Sequence, residues 1–446
     1  DDDKKITVLA TSIGMAKGLT IARLFHRTGY RVIGADTKML SPGAVSTAVH
    51  RYYRLPNPSD TEPPGGTRNK QYVSTLLDIV QAENVNLWIS VSDVHSPLQD
   101  AIAKEKIEAQ TSAKAIQSGV EETRTLHDKG SFMELCKRLG LSVPDHWVAQ
   151  TQEEAATFVN KAPQGRQYLA KPTGVDNPAR FDSSRPLLLP QPTEAETASA
   201  ISRLHFEQDN KSSLLLQEFI PGGEFCTHAL VIQGRVRAFV ACPSNDLLMH
   251  YTALHHESQL SQKMLAFTTR VAEHFGDGFS GHLSFDFMAA TRRSEDEDNA
   301  PIYAIECNPR VHTAVVLFSQ MPGLVGEYLS LTTAPDADPT GNPPPLRPDL
   351  SSHQHYYWIG QDLFEHVYPI VCRLWGGNFS LRQCRSLAGG FFHHVLSWKD
   401  GTFEAWDPLP WWWVYRVFWP AQFVWLTISG QRWSRMNVSA GRVYEA

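Results

Sequence analysis

The sequence predicts an α/β fold. Three observations carry this: short apolar runs of strand length recur early in the chain, helical stretches separate them, and further strand-like runs bearing acids fill the middle. Residues 6–10 (Ile-Thr-Val-Leu-Ala) read as a buried strand, followed by a turn from Gly14 to Gly18 and a helix through Phe25. Arg31–Ala35 is a second strand and Leu87–Val91 a later one, with Tyr72–Glu83 helical between them. Strands alternating with helices build an open parallel sheet with helices on its faces, a Rossmann-like unit expected over residues 1–115. The Gly14–Gly18 turn does not spell Gly-x-Gly-x-x-Gly, so the dinucleotide fingerprint is missing.

The 446 residues suffice for about three structural units, and 42% hydrophobic against 20% charged residues is the balance of a globular protein. A net charge of −6 with only short basic clusters, such as Arg292-Arg293, argues against a nucleic-acid partner. Six scattered cysteines without a Cys-x-x-Cys pair argue against a disulfide framework or a zinc–thiolate site and suit a reducing compartment. The expected location is cytoplasmic. The opening Asp1-Asp2-Asp3-Lys4-Lys5 reads as the remnant of a cleavable tag.

Further along, Lys129–Leu139 reads as a helix stopped by Gly140, with Pro144 beyond it. Asp60–Asn69 and the polar Arg292–Asn299 read as surface loops, and Ala334–Asp349, rich in Pro and Asp, as a linker. Unit boundaries are expected near residues 115, 215 and 333. The segment Leu409–Ile428 carries Trp411, Trp412, Trp413, Trp419 and Trp425, with Arg416 and Pro420 among them. It reads either as a helix packed on the body of the protein or as one lying on a membrane surface, where Trp is favoured. A true span fits less well, because Arg416 sits inside it.

The strongest chemical signal is Asp286 in Ser-Phe-Asp-Phe, followed by Glu306-Cys-Asn308-Pro-Arg310 after the apolar run Ile302–Ile305. Residues two apart on a strand share a face, so Glu306 and Asn308 project together. Two carboxylates and an amide oxygen, completed by phosphate oxygens and water, are what Mg²⁺ on ATP requires. Arg310 continues the alternation and suits the charge of a transferring phosphoryl group. In Leu214-Leu-Leu-Gln217-Glu218-Phe219-Ile220-Pro-Gly-Gly-Glu224 an apolar strand runs into a Pro-Gly turn. Such a hinge offers apolar faces and backbone hydrogen bonds to an adenine ring, and Glu224 beyond it could accept from ribose hydroxyls. Lys171, before Pro-Thr-Gly174, and Lys129 at a helix start supply cations for a triphosphate.

His228 and His312 flank this constellation, in Cys-Thr-His and Arg-Val-His-Thr, and read as ring-binding or as second-shell core histidines in equal measure. Tyr251 reads equally as pocket lining or as surface. The pairs His255-His256, His353/His355 and His393-His394 lack neighbouring Cys or carboxylate clusters, which speaks against a metal role.

Together these motifs resemble the ATP-grasp superfamily over roughly Lys129 to Arg310, with a matching N-terminal unit. A closer resemblance runs through Gln217-Glu-Phe-Ile-Pro-Gly-Gly-Glu-Phe-Cys-Thr-His228, Tyr303-Ala-Ile-Glu-Cys-Asn-Pro-Arg-Val-His-Thr313, Pro322-Gly323 and Tyr357-Trp-Ile359. It extends to Asp407-Pro-Leu-Pro410 before the Trp-rich segment, and it is similar to the mycosporine-glycine synthases, which join 4-deoxygadusol to glycine. The stretch Pro172–Arg180 departs from the loop expected in that family. The resemblance implies an ATP-grasp fold with a small subdomain over 116–215, a large one over 216–333 and a C-terminal extension over 334–446. It assigns phosphate contacts to Lys129 and Lys171, adenine to Gln217, Glu218, Phe219 and Ile220, ribose to Glu224, Mg²⁺ to Asp286, Glu306 and Asn308, and the transferring phosphate to Arg310. The cofactors implied are ATP and Mg²⁺, and the partners a 4-deoxygadusol-like ring and an amino acid. Two other readings stand beside it: a carboxylate–amine ligase forming an amide through an acyl phosphate, and a nucleotide-binding membrane-surface protein without turnover.

Overall fold

The computed structural model describes residues 6–445 apart from 60, 61, 64, 92–95, 173–186, 205–212, 245–248, 292–296, 334–342, 350–354, 376–379, 432 and 439–441. The phosphate-loop stretch after Lys171, most of the Arg292–Asn299 loop, His353 and the first half of the linker lie outside the described residues.

Strands β1 (Thr7–Thr11), β2 (Arg31–Asp36), β3 (Arg51–Arg54), β4 (Leu87–Ile89) and β5 (Lys114–Ile116) form one sheet in the order β3-β2-β1-β4-β5, with every neighbouring pair parallel. The β1 residues are all buried, as expected of a central strand covered on both faces. Helix Ala16–Arg27 buries its first ten residues, and Thr67–Ala82 brings Tyr72, Val73, Leu76, Ile79 and Val80 onto the sheet. At the β1 turn the Gly14 N–H donates to the Asp36 carboxylate at 2.6 Å, and a Cβ on Gly14 would lie 2.5 Å from that oxygen. The chain's own acid thus occupies the place where a dinucleotide fingerprint would be expected to meet its ligand.

Two antiparallel sheets follow. The first, in the order β6-β9-β7-β8, comprises β6 (His146–Ala149), β7 (Tyr168–Pro172), β8 (Leu188–Leu189) and β9 (Leu214–Glu218). The second, β11-β10-β12-β13, comprises β10 (Gly222–Ile232), β11 (Arg235–Pro243), β12 (Gly281–Ala290) and β13 (Ile302–Asn308). Helix Gln259–Phe275 lies against the second sheet, and its first turn is capped by Asp298, whose carboxylate accepts from the Gln259 and Leu260 N–H groups at 3.0 and 3.2 Å. The acidic loop therefore ends in a helix cap and is not solvated throughout.

The second half of the linker is also ordered. Leu346 N–H donates to the Arg237 carbonyl at 2.8 Å and its carbonyl accepts from Phe239 N–H at 3.0 Å, which covers the free edge of β11. One of the apolar cores joins distant parts of the chain. It contains Val8 and Leu19, Leu230 and Val240, and Trp358, Val414, Phe418 and Trp419.

The Trp-rich segment is helical from Leu409 to Ser429, with a wider π turn at Val414–Phe418. One face packs: Pro410, Val414, Phe418, Trp419 and Leu426 are buried. The other leaves Trp412, Val424, Trp425 and Ile428 exposed. Among the described residues, no helix is long and apolar enough to cross a membrane.

Candidate active site

Register brings the two carboxylates together. Asp286 on β12 is the Cα partner of Glu306 on β13, and Ser284 of Asn308. An irregularity between Asp286 and Phe287 shifts the pairing by one residue there. The Asn308 amide binds both acids, with Nδ2 3.0 Å from Glu306 Oε1 and 3.4 Å from Asp286 Oδ2. Its Oδ1 accepts from the Arg310 guanidinium at 2.9 Å, and the Arg310 carbonyl is held by Ser284 Oγ at 2.9 Å. Sequence alternation places Glu306, Asn308 and Arg310 in one row; the strand ends at Asn308, and Arg310 follows in a tight turn, its N–H on the Asn308 carbonyl at 2.7 Å, from which its side chain still reaches Asn308.

The cations arrive from other elements. Asp128 caps helix Lys129–Arg138, accepting from Ser131 N–H at 2.8 Å, and this sets Lys129 at the first helical position, where its Nζ lies 3.3 Å from Glu306 Oε2. Lys171, on β7, donates to Gln217 Oε1 on the neighbouring β9 at 2.6 Å. Gln217 Nε2 in turn reaches the Ile305 carbonyl on β13 at 3.3 Å, so this side chain ties one antiparallel sheet to the other.

Electrostatics follow from this packing. Burial, then the charge of Glu306, pushes the Asp286 carboxyl well above its ordinary value. Burial also opposes ionisation of Glu306, but Lys129, the hydrogen bonds from Asp286 and Asn308, and Lys171 outweigh it and pull that carboxyl down to about 2. The two carboxyls are thus driven in opposite directions as one coupled pair. Burial lowers the Lys171 ammonium from its usual value. Two adjacent carboxylates, with no thiolate or imidazole beside them among these three residues, are donors suited to a hard cation, while the Asn308 oxygen is turned to Arg310.

The strand end at Gln217–Ile220 is more constrained than its sequence suggests. The N–H groups of Glu218 and Phe219 donate to the Asp145 and Gln167 carbonyls, each at 2.7 Å, and the Glu218 carboxylate faces Arg166 at 3.4 Å. Those two N–H groups are therefore not open to a ligand in this arrangement. Gly222 is obligatory in the turn: its φ is +149°, and a Cβ would lie 1.8 Å from the Ala289 carbonyl oxygen. Glu224, beyond the turn, accepts from Ser244 Oγ at 3.0 Å.

The two flanking histidines are neighbours, His228 buried and His312 half-buried. His228 is fully buried; its Nδ1 accepts from the His312 N–H at 3.4 Å, and its Nε2 has no hydrogen-bond partner. The His312 ring caps the short helix that follows, accepting from Ala314 N–H at 3.2 Å. Tyr251 is buried, its ring 5.8 Å from that of His312, so the surface alternative is excluded.

Three residues here escaped sequence reasoning. Lys17 is buried at the start of the first helix and donates to the Val311 carbonyl at 2.7 Å. His282 stacks 5.5 Å from His228, with Nε2 on Tyr328 and Nδ1 unpartnered. His127, next to the Asp128 cap, is driven down to about 4 by burial and then by Arg310 and Lys129. Burial, with the charge of Lys17, also holds His282 and His312 down to about 3, and His228 lower than usual, so these rings are neutral. Only the Lys17 spacing inside Gly14-Met-Ala-Lys-Gly18 offered any signal.

No family model matches the sequence, and no curated protein does. Solved structures do match. The biotin carboxylase domain of a single-chain bacterial carboxylase is similar over 76% of this chain and 70% of its own, with a TM-score of 0.52 at 15% identity. The ADP complex of N5-carboxyaminoimidazole synthetase from Staphylococcus aureus aligns over 75% and 80%, with a TM-score of 0.50 at 13% identity. The biotin carboxylase domain of the Hydrogenobacter thermophilus 2-oxoglutarate carboxylase, in complex with MgADP, ADP and bicarbonate, aligns over 73% and 69%, with a TM-score of 0.50 at 13% identity. At such identities the likeness speaks for architecture, and together with the parallel sheet and the two antiparallel sheets it establishes that this chain has the ATP-grasp fold.

Proposed function

We propose that the protein is an ATP- and Mg²⁺-dependent, ADP-forming carbon–nitrogen ligase. The observation that carries this reading is the convergence of Asp286, Glu306, Asn308 and Arg310 with Lys129 and Lys171, two carboxylates facing two ammonium groups and a guanidinium. Asp286 and Glu306 fit Mg²⁺, and the Asn308 oxygen would join them once its amide turned over, since Nδ2 now faces the acids; the bound ion would neutralise phosphate charge. Lys129 and Lys171 suit the phosphates as point charges, Arg310 the transferring group, and Glu224 the ribose. In the reaction the acceptor oxygen takes the γ-phosphoryl group and the bond to ADP breaks. The amine nitrogen then bonds to the activated carbon, and that carbon's bond to the phosphate oxygen breaks. The sum is ADP, inorganic phosphate and a C–N product.

For the acceptor we favour a vinylogous acid of the 4-deoxygadusol type, joined to glycine or another small amino acid. What supports it is the set of buried Lys17, His228, His282 and Tyr251 with half-buried His312 near Arg310. Neutral imidazoles and a phenol are apt hydrogen-bond partners for a polyhydroxylated ring. The Lys17 cation is the feature that favours the alternative, a carboxylate acceptor giving an amide. An ADP-release screen of the purified protein tests both, using 4-deoxygadusol and simple carboxylates, each with several amino acids. ADP formed with 4-deoxygadusol and an amine supports the first reading, ADP with a carboxylate the second, and none with any pair removes both.

We also propose that the exposed face of the Trp-rich helix rests on an anionic membrane surface. Trp412 and Trp425 are exposed there, as are Trp375, Leu381 and Leu396 on the preceding helices, while Arg382, Arg385 and Arg416 are exposed among them in the sequence. Amphipathic surface with aromatic and basic residues is what an interfacial helix needs.

A further inference from the structure

Away from the ATP-grasp chemistry, His250, Asp362 and His394 converge from three parts of the chain. Their nearest ligand atoms all lie within 4.8 Å of one another, and among the described residues no other group of three or more His, Cys, Asp and Glu does this. His250 Nε2 is 2.8 Å from Asp362 Oδ1, and His394 Nδ1 is 2.6 Å from Asp362 Oδ2. The Asp362 side chain is 1% exposed and those of the histidines 9% and 12%. Sequence inspection missed this cluster because it sets His394 beside His393, whereas its carboxylate partner is 32 residues away.

A fourth imidazole stands beside the three. His366 is four residues after Asp362 on the same helical stretch, hence on the same face one turn on. Its ring centroid is 5.5 Å from that of His394, and its Nδ1 is buried without a hydrogen-bond partner. Gly390 makes room for it, since a Cβ there would lie 3.1 Å from His366 Cδ2. Trp398 covers the group, with its ring 4.9 Å from His250 and 4.4 Å from His394. A buried, aromatic-covered set of one carboxylate and three imidazoles with an orphaned ring nitrogen is unusual for hydrogen bonding alone, because buried polar atoms are normally paired.

We infer that His250, Asp362 and His394 form a structural site for a first-row divalent metal, zinc above all, with His366, which stands beside His394 outside that close group, turning in as the fourth donor. Imidazole and carboxylate together select zinc over magnesium or calcium, which take oxygen shells. Bonds of about 2.0 Å in a tetrahedral site set donors about 3.3 Å apart, so the two histidine–carboxylate contacts at 2.8 and 2.6 Å would open slightly as the ion entered. The metal would displace the imidazole protons now directed at Asp362. Such a site would clamp the helices Ile359–Trp375 and Leu381–Ser397 to the segment carrying Tyr251, one residue from His250.

The test is metal content of the full chain. Protein stripped with chelator, incubated with Zn²⁺ in Mg²⁺-containing buffer and dialysed should retain about one zinc per chain and gain thermal stability. His394→Gln and Asp362→Asn should lose it, their zinc affinity falling about a hundredfold or more, while the exposed control His255→Gln keeps it. Co²⁺ in place of zinc on the unmutated protein should give the intense visible bands of a tetrahedral centre, a readout independent of whether the variants fold. No zinc retained by the unmutated protein, equal retention by folded His394→Gln, or a Co²⁺ spectrum of an octahedral aquo-like ion would overturn the proposal.

Discussion

Arg23 and Asp407, 384 residues apart in sequence, form a buried ion pair at 2.9 Å. The guanidinium also donates to the Thr402 and Asp407 carbonyls, and the carboxylate accepts from Ser46 Oγ at 2.6 Å and from Thr47 N–H at 2.8 Å. The C-terminal part is thus pinned to the first helix and to the turn after β2 by a fully satisfied network. Breaking such a pair from one side strands a buried charge, so Asp407→Ala should lower stability by about 3–5 kcal/mol in denaturant titration. Burial opposes ionisation of Asp407, but Ser46, Arg23 and Thr47 hold its carboxyl below the usual range. Its contribution is therefore complete above about pH 4 and is lost as pH falls through the lower folded value. Asp407→Asn should flatten that acid limb. A full-strength acid limb in the Asn variant would remove the assignment.

Near neutrality a different set of groups governs stability. His228, His282 and His312 are kept neutral by burial, with the latter two titrating only at about 3 in the folded protein. The unfolded chain takes up these protons below about pH 6.5, so stability must fall as pH drops through that value and keep falling toward pH 3. Each ring contributes about 1.4 kcal/mol per unit of pH. Urea titrations at pH 7.0 and 5.5 check this, and His282→Gln should shrink the difference between them. An equal difference in the variant would mean that His282 is not buried neutral.

Much of the candidate site is legible in the sequence, and the physics says why. Glu306 and Asn308 alternate on one strand with Arg310 just past its end, and the helix that begins at Lys129 is announced by Asp128 and Gly140. Local periodicity is enough for both. The partner of Asp407 is not legible, because Arg23, Ser46 and Thr47 meet it only through tertiary packing. For the same reason the roles of Lys17 and His282 escape notice, and the His393-His394 pair hides its link to Asp362. The hinge shows a subtler limit: its apolar strand and turn are readable, but the hydrogen bonds that occupy the Glu218 and Phe219 N–H groups are not.

The exposed Trp face gives a prediction of its own. The protein should sediment with phosphatidylserine-containing vesicles, less so at high salt, and Trp412→Ser with Trp425→Ser should abolish this while leaving the fold intact, since both rings are exposed. Self-association of the unmutated protein without vesicle binding would assign the face to a second copy instead.

The carboxylate pair is the point at which ADP formation should be most sensitive. Glu306→Gln removes a charge that balances Lys129 and Lys171, and Asn308→Ala removes the amide that braces both acids. Each should lower ADP formation by about a thousandfold or more at ordinary Mg²⁺, with unchanged far-ultraviolet circular dichroism. Unmutated rates in either would detach the pair from catalysis.

The most direct test follows one oxygen atom. 4-Deoxygadusol carrying heavy oxygen at its enolised carbonyl is incubated with ATP, Mg²⁺ and glycine, and the nucleotide and phosphate products are analysed by mass. Phosphorylation of that oxygen followed by displacement by the amine predicts ADP, inorganic phosphate bearing the label, and a longer-wavelength ultraviolet chromophore growing in step with the phosphate. AMP with pyrophosphate, or unlabelled phosphate released alongside product, would contradict the account.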